Sequence, residues 1–195
     1  MHQFPLYFQI GLEHILDFSM GLDHILFVFA LAASYQLGDW KKVLVLVTAF
    51  TVGHSVTLAL ATLNIIEVRT DVVEFFIVVT ILIAALSNLF QTSALSKAKI
   101  QINYVYALFF GLIHGLGFSN TLRALLSANQ EIMTPLLAFN LGLEMGQIII
   151  VLIFLAAGFI AVGLFGVDRR DWKIFVSSAI TGMAVLILKE RVFWE

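Results

Sequence analysis

From Ile132 to Val167 the chain runs for 36 residues with one charged side chain, Glu144. A helix crosses a hydrocarbon core with about 20 apolar residues, so this window spans a bilayer with length to spare and is expected to tilt or bend. Apolar windows at about 18–37, 43–65, 72–90, 104–122 and 172–190 accompany it, the long window itself being placed at about 134–165. They are continuous, unlike the alternating segments of about 10 residues that build a membrane barrel, so the spans are helices. The expected fold is all-α: a polytopic membrane protein with a six-helix transmembrane bundle, forming a single domain over residues 1–195. Gly11 to Asp17 either forms a short amphipathic helix at the interface or extends the first span.

Composition narrows the function. Apolar residues make up 61% of the chain and charged ones 12%, half the usual charge of a soluble domain, which is about 25%. With no cysteine, disulfides and thiolate metal sites are excluded, and histidine and carboxylate must do any metal chemistry. A net charge of -2 and the lack of a basic stripe argue against nucleic acid as a partner. The opening "MHQFPLYFQIGLEH" lacks the positive n-region of a cleavable signal peptide. Alternate connections carry Lys41, Lys42, Lys97, Lys99, Arg169, Arg170 and Lys173 on one side against Arg69, Arg123, Lys189 and Arg191 on the other. By the positive-inside rule both termini are expected outside the cytoplasm, on the periplasmic face of a bacterial inner membrane. Trp40, Trp172 and Trp194 are expected as interfacial anchors.

Ionisable groups inside spans cost about 2.5–3.5 kcal/mol on insertion scales and are read as functional. Here they are Asp23 and His24 at the start of span one, His54 in span two, His114 in span four and Glu144 in span five. With spans two and four running outward and one and five inward, all of them fall toward one layer. Isolated histidines that merely bridge helices would have no reason to share a depth. In "FNLGLEMGQ", Asn140, Glu144 and Gln147 fall on one helix face, while Gly142 and Gly146, like Gly111 and Gly115 around His114, form small-residue surfaces for close helix packing. Thr51, Ser55 and Thr57 give His54 nearby hydroxyls. In "GLEHILDFSMGLDHILF", His14, Asp17, Gly21 and His24 share a stripe. On a continuous helix His14 and His24 stand about 15 Å apart, so they serve one site only if the chain folds back near Ser19 to Gly21. Otherwise His14 belongs to an outer vestibule with Glu13 and Asp17. Thr80, Ser87 and Asn88 in span three are expected to do no more than bond between helices.

These four motifs, "GLEHILDFSMGLDHILF", "FTVGHSVTL", "FGLIHGLGF" and "FNLGLEMGQ", resemble the HupE/UreJ family of small bacterial membrane proteins over about Gly11 to Gln147. The resemblance implies nickel supply to hydrogenase or urease, with some members acting as nickel permeases. It places the family's motif residues on His14, Asp23, His24, His54, His114 and Glu144.

The first functional expectation is therefore a permease or binding protein for a nickel-type divalent cation. Neutral imidazoles with a carboxylate suit Ni²⁺, Zn²⁺, Co²⁺ or Fe²⁺, and the absence of thiolates disfavours Cu(I). His24, His54 and His114 are the expected ligands, with Asp23 as ligand or as orienter of an imidazole. Glu144 balances charge, and His14, Asp17, Asn140 and Gln147 complete a polar network. The alternative is an intramembrane zinc hydrolase or lipid-modifying enzyme using three histidines and an open fourth position, with Glu144 or Asp23 as general base and Ser55 or Asn140 positioning a carbonyl oxygen. No His-Glu-x-x-His or Gly-x-Ser-x-Gly motif supports it. In its favour, almost no ionisable groups continue inward from the site, which suits an enzyme better than a pore. A third reading is a scaffold whose small-residue faces form a homo-oligomer in the lipid bilayer.

Overall fold

A computed structural model describes residues 3–18, 21–90, 97–126 and 132–193. Its regular elements are all helical: α1 (Gln3–Leu16), α2 (Leu22–Ala32), α3 (Trp40–Thr62), α4 (Thr70–Phe90), α5 (Lys97–Gly117), α6 (Ser119–Leu125), α7 (Met133–Phe159) and α8 (Arg169–Glu190). A 3-10 turn, Leu37–Asp39, leads into α3, and a π-helical turn, Ile160–Leu164, finishes α7.

Among the described residues, five helical stretches are long and apolar enough to cross a membrane: 37–62, 70–90, 100–117, 133–164 and 169–190. They correspond to the five later predicted spans. The expected first span, 18–37, is not one helix. It contains only the eleven residues of α2, and α1 precedes it. Nor is α1 an interfacial helix, for it packs along α7: a Cβ placed on Gly11 would lie 2.0 Å from the Phe139 carbonyl oxygen, and one on Gly142 2.0 Å from that of Phe8. Farther along α7, Val28 and Leu31 of α2 meet Gln147 and Val151, and Phe29 stacks on Phe154 with ring centroids 4.7 Å apart. The two short helices thus occupy successive lengths of α7 as one interrupted path, which accounts for the missing sixth span.

Local chemistry sets the ends. Ahead of α3, Asp39 Oδ2 accepts from the Gln36 N–H in a capping box that closes the 3-10 turn, and Asp39 Oδ1 accepts from Lys42 in the first turn of α3. At its other end Asn64 takes the left-handed conformation, φ 56°, and the following Ile65 N–H donates to the Leu60 carbonyl, closing the helix as a left-handed cap does. The long window stays helical to Leu164, its last turn π-helical, and Gly166 follows at φ 71°. Trp40 is exposed at the start of α3 with Lys41 Nζ over its ring, Trp172 packs on Phe154 and Gly158, and Trp194 lies outside the described residues.

A second helix pair is locked as closely. Gly53 of α3 faces the Leu108 carbonyl and Gly111 of α5 the Phe50 carbonyl, with added Cβ atoms at 2.2 and 2.1 Å. No side chain fits at such crossings, and backbone contact is what small residues permit inside a membrane. The small-residue faces expected to serve an oligomer are therefore filled from within the chain.

Candidate metal centre

The α1–α2 interruption and the α3–α5 crossing bring four imidazoles together. His24, in the first turn of α2, has ring centroids 5.0 Å from His14, 5.1 Å from His114 and 5.8 Å from His54. The separation of about 15 Å that a continuous helix would impose on His14 and His24 is abolished by the break. Gly21 makes that break compact: its N–H donates to the Asp17 carbonyl at 2.6 Å, and an added Cβ would sit 2.6 Å from the His14 carbonyl oxygen. His54 follows Gly53, and His114 lies between Gly111 and Gly115, so the glycines that join α3 to α5 also aim both rings inward.

All four imidazoles are buried, none more than 8% exposed. Phe27, Phe50, Phe118 and Phe139 enclose them: Phe118 lies 4.2 Å from His14, Phe50 5.1 Å and Phe27 5.2 Å from His114, and Phe139 6.4 Å from His54 between centroids. Seven of the eight ring nitrogens make no well-formed hydrogen bond, namely both of His14, His24 and His54 and Nδ1 of His114, although Asn140 lies close enough to His54 to interact with it. Leaving a buried donor or acceptor unpaired costs about 1–3 kcal/mol, so four such rings in one apolar cage call for a ligand. Their chemistry suits a cation: a neutral imidazole offers a nitrogen lone pair to a transition metal.

The eighth nitrogen is informative. Thr80 Oγ1 donates its proton to the Ile77 carbonyl at 2.6 Å, and it also lies 3.3 Å from His114 Nε2. With its proton already committed, the hydroxyl is the acceptor there. This assigns the His114 proton to Nε2 and leaves Nδ1 as its bare, buried nitrogen. A partner that fixes the tautomer of a ligating histidine is a recurrent feature of metal sites. Thr80 is expected only to bond between helices, and it does so; a lone threonine in an apolar run gives no sequence signal that its partner is a histidine of the cluster.

The carboxylates stand apart from the rings. Asp23 is half-buried on α2 within electrostatic reach of Arg191 and Glu74, which pair with each other. Glu144 accepts from Thr48 Oγ1 at 2.7 Å. Glu13 is exposed and bonded to Gln9, 2.7 Å away, and Asp17 is half-buried at the break. Among the described residues, no three His, Asp or Glu side chains are already convergent on one point. The hydroxyls near His54 serve other partners: Thr51 donates to Gln147 Oε1 at 2.8 Å, Ser55 to the Thr51 carbonyl at 2.6 Å, and Thr57 to the Gly53 carbonyl at 3.2 Å. Asn140 donates to the Leu136 carbonyl and lies within interaction range of His54, and Gln147 Nε2 is buried without a well-formed hydrogen bond. Asn88 tethers the far end of α2 through the Ala30 carbonyl and accepts from Ser34.

No curated protein and no solved structure matches the chain. A family model described as HupE / UreJ protein matches residues 1–192, the motifs with their histidines included. A helical membrane protein with this match over nearly its whole length belongs to the HupE/UreJ family, a family related to nickel and cobalt transport.

Proposed function

We propose that the protein is a permease of the bacterial inner membrane for a nickel-type divalent cation, and that the cation passes through the cluster of His14, His24, His54 and His114. The observation that carries this reading is the set of seven buried imidazole nitrogens without a well-formed hydrogen bond in a cage of phenylalanines. Rotation of the rings brings their lone pairs onto an ion, and Thr80 presents Nδ1 of His114. Asp23 and Glu144 act at a distance, as charges flanking the route. The hydrolase reading would need a base or hydroxyl beside the ion, and Glu144 and Ser55 are engaged with Thr48 and with the Thr51 carbonyl instead. Elemental analysis of detergent-purified protein after dialysis against nickel tests the site. About one nickel per chain in wild type, lost in His24→Ala and His114→Ala together with uptake into proteoliposomes, is the expected outcome. Uptake that survives removal of all four histidines would refute it.

A further inference from the structure

Eight of the sixteen residues from 11 to 26 recur 100 positions later: Gly11, Leu12, His14, Leu16, Phe18, Ser19, Leu22 and Leu26 return as Gly111, Leu112, His114, Leu116, Phe118, Ser119, Leu122 and Leu126. A second echo, offset by 89, relates "AFTVG" at 49–53 to "AFNLG" at 138–142. The structure makes the same equivalences independently. Gly11 faces the Phe139 carbonyl as Gly111 faces that of Phe50, and Gly142 faces the Phe8 carbonyl as Gly53 faces that of Leu108. The third contact repeats as well. A Cβ on Gly146 would meet Ile15 at 2.2 Å, and one on Gly115 would meet Thr57 at 2.3 Å, where Gly115 is the counterpart of Ile15 and Gly146 of Thr57.

The α1–α7 interface is thus the α5–α3 interface with the two halves of the chain interchanged. The halves also run oppositely. His54 of α3 lies beside Phe139 near the start of α7, while Val43 and Val47, at the start of α3, lie beside Val151 farther along α7, so these counterparts are antiparallel. The last helices of the halves, α4 and α8, pack together with Glu74 at the start of one paired to Arg191 at the end of the other. We infer that the chain is two inverted repeats, α1–α4 and α5–α8, related by an axis through the histidine cluster, and that the two halves exchange conformations to pass the cation from one side to the other. His14 and His114 are the equivalent pair, at 5.0 and 5.1 Å on either side of His24. His24 itself has Ala124 as its counterpart, so the central ligand belongs to one half alone.

The present arrangement is one of two. α4 packs on α5, where a Cβ on Gly117 would lie 3.0 Å from Ile77 Cδ1 and Thr80 reaches His114. The counterpart pair, α8 and α1, has no such interface among the described residues. Exchange would seat α8 on α1 and release α4 from α5, turning the same site to the opposite face, as inverted repeats do by rocking about a fixed site. This removes the objection that no ionisable residues lead inward: a site that changes its access needs no polar conduit beyond itself.

This inference rests on the permease reading, and the cysteine-free chain lets the two be separated. The offset of 100 also relates α4 to α8, where Asp71, Phe75, Ala84 and Leu86 recur as Asp171, Phe175, Ala184 and Leu186, so Ser177 is the counterpart of Ile77. Ile77→Cys with Gly117→Cys places thiols across α4–α5, and the counterpart pair, Asp17→Cys with Ser177→Cys, places them on α1 and α8. With a short bis-methanethiosulfonate, the first pair is expected to bridge in resting protein. The bridged protein should keep bound nickel but lose at least ten-fold in uptake, recovered on reduction. The second pair should bridge only during nickel turnover. Full uptake by the bridged Ile77–Gly117 protein, or no Asp17–Ser177 bridging while that variant transports, overturns the exchange and leaves the metal site standing. Absence of nickel from the wild type sinks the permease reading instead. Spin labels on the exposed Phe76 and Phe109 give a readout without thiols in the core. Their separation should lengthen for part of the population with nickel in lipid, and one fixed distance under every condition overturns the proposal.

Discussion

Replacing His24 by leucine separates a metal-binding cluster from a structural one, because the two readings predict opposite signs. A neutral imidazole always presents one donor and one acceptor, and both nitrogens of His24 are buried without partners. At about 1–3 kcal/mol per unpaired group, the metal-free wild type carries roughly 2–6 kcal/mol of strain at this one ring. Leucine removes it, and refitting the cage around the new shape costs about 1–3 kcal/mol. The metal-free variant should therefore lie between about 1 kcal/mol less stable and about 5 kcal/mol more stable than wild type. Nickel should act the other way. At one hundred times its Kd a ligand adds about 2.7 kcal/mol to the folded state, so wild type should gain that much and the variant almost nothing. Denaturant titration in detergent, with and without nickel, reads both quantities. A variant that is destabilised by more than about 1 kcal/mol without metal, yet still stabilised by nickel, would show that His24 is a packing residue and that the ion binds elsewhere.

Other outcomes follow from the same geometry. Thr80→Val should weaken nickel binding about 10- to 100-fold, the usual effect of losing a group that orients a ligand, and Thr80→Ser should restore it in equilibrium dialysis. Gly21→Ala, whose Cβ would lie 2.6 Å from the His14 carbonyl, should pry His14 from His24 and lower affinity while leaving the long helices intact by circular dichroism. Gly111→Ala pushes a methyl to 2.1 Å from the Phe50 carbonyl and should cost about 1–3 kcal/mol or more, seen as loss of monodisperse protein on size exclusion. Glu144→Gln should keep one nickel per chain, since its carboxylate bonds to Thr48 rather than to the rings; loss of the metal would place Glu144 among the ligands.

The long spans were legible because each is a continuous apolar run, and helix is what a bilayer allows such a run. The first crossing was not, because a break after Leu16 carries no proline and its one marker, Gly21, is weak against thirty mostly apolar residues. The histidines could be picked out individually, since each is costly in lipid. Their number around one point could not, because it depends on that break. Asp23 shows the limit of pattern reading: it is next to His24 in sequence, but one residue along a helix is a turn of about 100°, and its electrostatic partners lie at Arg191 and Glu74. The repeat at an offset of 100 was in plain view, but each half differs enough in α2 and α6, eleven residues against seven, that a search for equal spans passes over it.

The cage of Phe27, Phe50, Phe118 and Phe139 has a consequence for how long an ion can stay. On the permease reading, neutral imidazoles would replace water around a divalent cation without bringing a counter-charge, and the rings behind them are poorly polarisable compared with solvent. An ion bound there would sit uncompensated in a dry interior, held by coordination and opposed by its self-energy. A carboxylate in direct contact would tip that balance toward permanent capture, and the structure keeps Asp23 and Glu144 on other partners. The resulting hold is a compromise between capture and release, and passage through a membrane needs both: binding strong enough to admit the ion and weak enough to let it go.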